Sequence, residues 1–350
     1  MKALNLYGVG DLRYEDVPDP TPKAGEVLVQ IRACGICGSD IPRIFTKGTY
    51  HFPTIPGHEF SGQVVALGEG VDESYLGKRA AIFPMLPCGE CESCQVGEYA
   101  TCKNYNYFGS RCDGGFAEYI AVPVWNLVLL PESLSYCEAA MAEPASVAAH
   151  ALRRGGIVIG DTVAIFGAGP IGLMLAQWAK AWGAFKVILV DIDPTKLDFA
   201  RKQGFEYVIN SAECDPVAAI QEITGGRGAD LCVEGAGVSQ TLEQCLKSVR
   251  SFGRIVAMGN PAGDMHLSQK GYWELLRKQA TVTGTWNSSY VSLPKNDWHL
   301  SIEAMDRGLL NIKPFITHKV RMEDHEAVFD LIRNKKEFYN KIMFVMGEEK

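Results

Sequence analysis

The chain has 350 residues, of which 47% are hydrophobic and 21% are charged, a composition typical of a globular protein with two domains. Its net charge of −7 and the lack of Lys/Arg-rich blocks argue against a nucleic-acid-binding surface. The N-terminal residues form no apolar signal-peptide core, and no hydrophobic run approaches the length of a membrane span. We therefore expect a cytoplasmic protein without a membrane segment.

Eleven cysteines in such a chain are expected to be metal ligands or buried thiols rather than disulfides. Four are clustered, two form a close pair at Cys34 and Cys37, and the others are scattered. We expect the scattered ones to pack as small hydrophobic side chains. They are Cys112, Cys137, Cys214, Cys232 and Cys245.

The first half of the chain predicts short β-strands. Polar and apolar residues alternate over residues 1–6 and 26–32, and runs broken by glycine follow at 61–68 and 79–83. We therefore expect a β-rich first domain over residues 1–152.

Candidate metal ligands stand in three separated segments of this half. Cys37 lies in a Cys-Gly-Ser-Asp motif, His58 and Glu59 in Gly-His-Glu, and Glu143 precedes Pro144. A thiolate, an imidazole and carboxylates suit an open zinc site with room for water or substrate. The alternatives are a loop histidine satisfied by its neighbours and, for Glu143, a helix-start carboxylate stabilised by the helix dipole.

A cysteine lobe at about 86–104 contains four thiols at the spacing of a closed, structural zinc site. Such a site contributes on the order of 10 kcal/mol to folding at neutral pH. A redox Cys-x-x-Cys pair and an iron–sulfur cluster are the alternatives. The candidate ligands are Cys88, Cys91, Cys94 and Cys102.

A dinucleotide-binding turn is predicted after residue 160. An apolar strand at 161–166 precedes a Gly-x-Gly-x-x-Gly motif, and a helical stretch at 173–180 follows it. The glycines permit a tight turn, close approach to a pyrophosphate and close helix packing. The motif residues are Gly167, Gly169, Pro170, Ile171 and Gly172.

A second strand at 186–190 ends at Asp191. A carboxylate in that position accepts hydrogen bonds from both ribose hydroxyls and repels a 2′-phosphate, so we expect NAD rather than NADP. Lys196 is placed to reach the same ribose.

Alternating strands and helices continue to residue 286 and predict a doubly wound parallel sheet over 153–286. Strands are predicted at 205–209, 229–234, 253–258 and 280–284, and helices at 239–250 and 273–278. The segment 287–350 contains helices at 299–307 and 322–334 and a strand at 341–345. We expect it to return to the first domain, with the cofactor in the cleft between the two.

The chain resembles the zinc-dependent medium-chain alcohol/polyol dehydrogenases in its Cys-Gly-Ser-Asp and Gly-His-Glu motifs, its cysteine lobe, residues 113–119 and its dinucleotide turn. The resemblance implies a GroES-like catalytic domain and a Rossmann domain, with two Zn²⁺ and NAD per chain. It implies a homodimer or homotetramer joined through the last Rossmann strand, near 281–286. The implied reaction oxidises a secondary alcohol of a polyol or polyol phosphate to a ketose, with zinc as Lewis acid and hydride passing to the nicotinamide.

The same resemblance implies that Ser39 relays the proton and that Asp40 orients a zinc ligand. Many relatives have a histidine five residues after the ligand cysteine, but this chain has Pro42. We therefore expect the proton to leave from Ser39 through water.

A phosphorylated substrate would require cations around the outer pocket. Arg43, Lys47 and Arg111 are candidates by their proximity to the motifs, and Asn287 is a candidate for a substrate hydroxyl. Each cation has the alternative of a solvated surface charge. Other family substrates, namely unphosphorylated polyols and L-threonine, stay open.

Two other classes explain less of the sequence. A zinc-ribbon binding module would leave the dinucleotide turn and Asp191 without a role. A zinc-free quinone reductase of the same superfamily would lack Cys37, Glu59 and the lobe. Metal content separates the three classes. We expect two zinc ions per chain for a polyol dehydrogenase, one for a zinc ribbon and none for a quinone reductase.

Overall fold

A computed structural model of the chain describes residues 1–293 and 295–347. The chain divides into two compact units: unit 1 comprises Met1–Pro144 and the segment from Ser289 onward, and unit 2 comprises Ala145–Ser288. Within the described ranges, no helix is both long and apolar enough to cross a membrane.

The first segment of unit 1 is rich in short strands. Its elements are β1 (Lys2–Gly8), β2 (Asp11–Asp16), β3 (Glu26–Gly35), α1 (Asp40–Pro42), β4 (Glu59–Leu67), β5 (Arg79–Ile82), β6 (Met85–Leu86), α2 (Glu92–Gln95), β7 (Asn106–Tyr107), β8 (Tyr119–Pro123), β9 (Leu127–Leu129) and α3 (Tyr136–Ala140). Ser135 caps α3, because its hydroxyl accepts from the Glu138 amide while the Glu138 carboxylate accepts from the Ser135 amide.

Unit 2 alternates strands and helices. After α4 (Ala142–Arg154) come β10 (Thr162–Phe166), α5 (Pro170–Ala181), β11 (Lys186–Asp191), α6 (Pro194–Lys202), β12 (Tyr207–Asn210), α7 (Pro216–Ile223), β13 (Ala229–Glu234), α8 (Ser239–Ser248), β14 (Val249–Ala257), α9 (Gln269–Lys278) and β15 (Thr281–Gly284). The strands are parallel in the order β12-β11-β10-β13-β14-β15. This is the Rossmann order, and it confirms the predicted doubly wound sheet.

The last segment completes the sheet of unit 1. Its elements are α10 (Asp297–Asp306), β16 (Ile316–Val320), α11 (His325–Asn334) and β17 (Lys341–Val345). The sheet has the order β16-β17-β3-β4-β5-β9, with β8 also paired to β3. Strand β17 therefore lies inside the sheet, antiparallel to β3. The β-rich, GroES-like architecture of the first domain is confirmed.

Each unit has its own hydrophobic core. In unit 1 the edge of the Phe116 ring packs on Phe344 of β17, with centroids 5.0 Å apart, and both side chains are fully buried. In unit 2, Phe166 and Ile188 are fully buried between the sheet and its helices. Burial of one such side chain contributes about 1.5–3 kcal/mol.

Several sequence predictions require correction. The helix predicted over 239–250 ends at Ser248, because Val249 already pairs with Ala229 as the start of β14. The helix predicted over 322–334 begins only at His325, after a 3₁₀ turn. Cys214, predicted to be packed, is exposed, and Cys112 is only partly buried; the other scattered cysteines are buried.

Helices α6 and α7 were not predicted, although both carry the same local signal. Asp193 and Asp215 each accept a hydrogen bond from the second helical residue, and a proline follows each as the first helical residue. Because a proline there loses no helical hydrogen bond, Asp-Pro is a strong start signal.

Candidate functional site

Strand pairing brings Cys37, His58 and Glu59 together. Strand β3 pairs antiparallel with β4, and Gly35 at the end of β3 lies opposite Glu59 at the start of β4. Cys37 lies two residues after β3 and His58 directly precedes β4, so all three residues meet at one end of the strand pair. One donor atom from each lies within 4.8 Å of the others.

This group fits a zinc ion. His58 is 3% exposed and Glu59 is 1% exposed, while Cys37 is partly open to solvent. A sulfur, a nitrogen and an oxygen donor, buried on one side and open on the other, match the donor set of a catalytic zinc.

Asp40 supports two of these donors. Its Oδ2 accepts from the Cys37 amide at 2.9 Å, and its Oδ1 lies 3.3 Å from His58 Nδ1. Burial raises the pKa of the Asp40 carboxyl, but His58 and Arg43 outweigh it and hold that pKa below its usual value. The ionised carboxylate orients the imidazole, which leaves Nε2 for a metal.

Lys341 is a site residue that the sequence analysis missed. Its Nζ donates to both carboxylate oxygens of Glu59, at 2.8 and 2.6 Å, and to the carbonyl of Ile36 at 3.2 Å. Burial lowers the pKa of this ammonium, but the carboxylate of Glu59 outweighs it, so the pKa is raised. The signal in the sequence is a lone lysine at the start of an otherwise apolar strand.

Glu143 lies beside the cluster, in the first turn of α4. Tyr107 Oη donates to its Oε1 at 3.2 Å. Burial raises the pKa of Glu143 to about 7, and the nearby carboxylate of Glu59 adds to the increase. Glu143 is not part of the tight group of three donors, so the structure brings it near the candidate zinc site without making it a fourth member.

Ser39 and Arg43 both turn toward the cluster. The Ser39 hydroxyl donates to Cys37 Sγ at 3.3 Å. Arg43 Nη1 donates to Ser39 Oγ at 3.0 Å and lies 3.3 Å from Asp40 Oδ1 and from His58 Nδ1. Arg43 thus contacts Ser39, Asp40 and His58, and its charge is paired with the Asp40 carboxylate. This differs from the prediction of a cation in an outer pocket for a substrate phosphate.

The other predicted substrate residues are dispersed. Lys47 is exposed at the end of a π-helical turn, Arg43–Lys47. Arg111 is partly buried between the rings of Tyr50 and Tyr105. Asn287 belongs to unit 2 and has a left-handed backbone with φ 53°.

The cysteine lobe has the dimensions of a closed zinc site. The Sγ atoms of Cys88 and Cys94 are 3.9 Å apart, those of Cys91 and Cys94 3.6 Å, and those of Cys102 and Cys88 3.5 Å. A tetrahedral zinc with bonds of about 2.3 Å places its sulfurs about 3.8 Å apart. Backbone hydrogen bonds at Lys103 and Cys94 lower the pKa of Cys91 to about 6, which favours a thiolate there, whereas burial raises the pKa of Cys94 to about 12.

The predicted dinucleotide turn joins β10 to α5. Gly167 adopts φ 118°, a conformation that favours glycine, and its amide donates to the Val190 carbonyl at 2.8 Å. A Cβ on Gly172 would lie 1.9 Å from the Gly167 carbonyl oxygen, so this close approach excludes a side chain. Gly169 and Pro170 cap and begin α5, and Ile171 continues it.

Asp191 lies at the end of β11, beside this turn. Its Oδ2 accepts from the Ala168 amide at 2.8 Å and its Oδ1 accepts from the Asp193 amide at 3.0 Å. Lys196 Nζ is 3.9 Å from Asp191 Oδ2. The carboxylate is thus fixed at the carboxyl end of the sheet, where a Rossmann unit holds an adenosine ribose, and the turn fits a dinucleotide.

Comparison with known protein families finds a matching family for a large part of each unit. The alcohol dehydrogenase GroES-like domain family matches residues 23–132, and the zinc-binding dehydrogenase family matches residues 170–307. The chain therefore belongs to the zinc-dependent alcohol dehydrogenase family.

Individual relatives span nearly the whole chain. Galactitol 1-phosphate 5-dehydrogenase of Escherichia coli (strain K12) is 37% identical over 88% of this chain and 90% of its own length. Sorbitol dehydrogenase of Bacillus subtilis (strain 168) is 33% identical over 99% of this chain and 96% of its own length. L-Threonine 3-dehydrogenase of Pyrococcus abyssi is 34% identical over 99% of this chain and 97% of its own length.

Solved structures share the fold. The crystal structure of galactitol-1-phosphate dehydrogenase from Escherichia coli superposes with a TM-score of 0.92 at 35% identity, over 99% of this chain and 100% of that one. An alcohol dehydrogenase from Escherichia coli CFT073 in complex with NADH has a TM-score of 0.90 at 28% identity, over 99% of both chains. A zinc-binding dehydrogenase from Sinorhizobium meliloti 1021, bound to NADP, has a TM-score of 0.89 at 29% identity, over 99% of both chains.

Proposed function

We propose that the chain catalyses the zinc- and NAD-dependent oxidation of a secondary alcohol of a polyol phosphate to a ketose phosphate. The candidate substrate is galactitol 1-phosphate, and the product is then a keto-hexose 6-phosphate, tagatose 6-phosphate. The observation that carries this proposal is the buried sulfur–nitrogen–oxygen group of Cys37, His58 and Glu59. The likeness to galactitol 1-phosphate 5-dehydrogenase supports the choice of substrate.

Cys37 and His58 would hold the catalytic zinc, with Glu59 and Glu143 as carboxylates that reach it directly or through water. When bound, the zinc supplies Lewis-acid polarisation of the substrate hydroxyl. Lys341 holds both oxygens of Glu59 and balances its charge. A carboxylate restrained in this way is positioned beside the metal without an uncompensated buried charge.

The substrate proton leaves through Ser39 and water. The Ser39 hydroxyl lies 3.3 Å from Cys37 Sγ and accepts from Arg43 at 3.0 Å, so it stands beside the candidate metal ligands. There its oxygen accepts the substrate proton as its own proton passes to water. Pro42 has no titratable group, so it excludes a histidine relay at that position.

NAD would bind on the turn from Gly167 to Gly172, with its adenosine ribose on Asp191. The carboxylate keeps lone pairs for the ribose hydroxyls and repels a 2′-phosphate. Lys196, close to the same carboxylate, is available to a ribose hydroxyl.

The second zinc would be held by the four thiols of the lobe, which gives two ions per chain. A homodimer or homotetramer would form through β15, the edge strand of the unit 2 sheet, where Val282 is 42% exposed. All eleven cysteines are free, which suits a reducing, cytoplasmic compartment.

Other family substrates are the competing proposal, because the sorbitol and L-threonine dehydrogenases are almost as similar to this chain. A steady-state comparison of galactitol 1-phosphate, galactitol, sorbitol, xylitol and L-threonine with NAD and NADP tests the choice. We expect the highest kcat/KM with galactitol 1-phosphate and NAD. Metal analysis should give about two zinc ions per chain; a single zinc, located in the lobe, would refute the catalytic proposal.

A further inference from the structure

Two tyrosine rings clamp the guanidinium of Arg111. The Arg111 Cζ atom lies 4.1 Å from the ring centre of Tyr50 and 4.4 Å from that of Tyr105. Its Nη2 also donates to Tyr50 Oη at 3.2 Å. Aromatic rings hold a guanidinium through its charge and leave the in-plane N–H donors for an acceptor.

The clamp leaves the positive charge without a counter-charge. Among residues 1–293 and 295–347, no carboxylate pairs with Arg111, and its buried Nε has no hydrogen-bond acceptor. Arg43, by contrast, pairs with the buried Asp40 at 3.3 Å. A guanidinium that is restrained but unpaired is organised in advance for an anion.

Within unit 1, a chain of ring contacts runs from Arg111 to the candidate zinc cluster. The ring of Tyr105 contacts that of Tyr107 at 6.4 Å between centroids, and Tyr107 contacts the His58 ring at 5.7 Å. The backbone at Arg111 is fixed as well, because its carbonyl lies 3.2 Å from His51 Nε2. Two rings therefore connect the unpaired cation to a candidate zinc ligand.

We propose that Arg111, held by Tyr50 and Tyr105, binds the phosphate of the substrate while the carbon to be oxidised lies at the Cys37–His58–Glu59 cluster. This inference rests on the proposed function and extends it by naming the residue that selects a phosphate monoester. The planar fork of arginine donates two parallel hydrogen bonds to a phosphate, which a lysine does not reproduce.

The test compares Arg111→Gln and Arg111→Lys with the zinc-loaded wild-type enzyme, using galactitol 1-phosphate and galactitol with NAD. We expect kcat/KM for the phosphate to fall about 10- to 100-fold in Arg111→Gln, the range for a lost hydrogen bond to a charged group. Arg111→Lys should fall by less, and kcat/KM for galactitol should change less than about twofold. Arg333→Gln is the matched control, because its guanidinium lies 4.5 Å from the Phe45 ring in the same unit and is exposed.

Calorimetry without NAD gives a second measure: galactitol 1-phosphate and inorganic phosphate should both bind the wild type more tightly than Arg111→Gln. Equal binding, or an unchanged preference for the phosphate, would overturn the inference. A parallel loss for both substrates would also overturn it, because it indicates a structural role. If the wild-type enzyme oxidises polyols but does not prefer the phosphorylated substrate, the proposed dehydrogenase activity is retained and only the phosphate site is refuted. One that oxidises no polyol in either form refutes the proposed function itself.

Discussion

Lys341 and Glu59, 282 residues apart in the sequence, form a buried two-point ion pair in unit 1. The side chains are 4% and 1% exposed. Glu59 is one of the candidate zinc ligands, so the ammonium of Lys341 places a fixed positive charge directly beside the candidate zinc site.

Replacing Lys341 by Met should destabilise the protein, because Glu59 then loses the ammonium that compensates its buried charge. We expect a loss of about 3–5 kcal/mol in the free energy of unfolding, measured by urea denaturation. Adding Glu59→Gln to Lys341→Met should restore part of it. The control is Lys336→Met, whose pair with Asp330 is exposed to solvent and therefore contributes little to stability. A Lys341→Met protein as stable as this control would contradict the role of the pair.

Replacing Cys102 by Ser should remove one zinc ion per chain and leave the other, as measured by atomic emission. The fluorescence of Trp125 should change with it, because the Tyr99 ring of the lobe packs on Trp125 at 5.3 Å. Cys214→Ser is the control, since this thiol is exposed and outside both metal groups. Unchanged zinc content in Cys102→Ser would contradict the role of Cys102 as a zinc ligand.

Replacing Asp191 by Ala should raise KM for NAD about 10- to 100-fold, because the carboxylate accepts from the ribose hydroxyls in the proposed complex. KM for NADP should fall, since the repulsion of a 2′-phosphate is removed. Asp198→Ala, at an exposed position of α6, should leave both constants unchanged. If the preference for NAD persists in Asp191→Ala, Asp191 does not contact the ribose.

The two glycines Gly169 and Gly172 should respond differently to alanine. Gly172→Ala places a Cβ against the Gly167 carbonyl and should cost about 1–3 kcal/mol of stability or more. A Cβ on Gly169 has no heavy atom within 4 Å, and φ there is −74°, so Gly169→Ala should be as stable as the wild type. It should nevertheless weaken NADH binding in a fluorescence titration, because the pyrophosphate needs that space. Equal thermal stability of both variants would contradict this geometry.

The sequence predicted the parts of the fold that carry local signals. A hydrophobic run ending in the glycine turn located β10, and a second run ending at Asp191 located β11. Motif spacing located both cysteine-containing groups. Lys341 could not be placed, because its contact with Glu59 depends on β17 entering the sheet beside β3. No local pattern specifies such a pairing.

The substrate candidates show the same limit. Arg43, Lys47 and Arg111 were equivalent in the sequence, since each lies near a motif. Only the folded chain distinguishes Arg43, which pairs with Asp40, from Arg111, which is stacked between two tyrosines. Side-chain pairing across separate loops decides between them.

The position of β17 has a consequence for the order of folding during synthesis. Unit 2 is one uninterrupted segment, so it can become native as soon as the ribosome has released residue 288. Unit 1 lacks an internal strand until residues 341–345 emerge. The nascent polypeptide would thus carry a complete unit 2 while unit 1 still lacks strand β17.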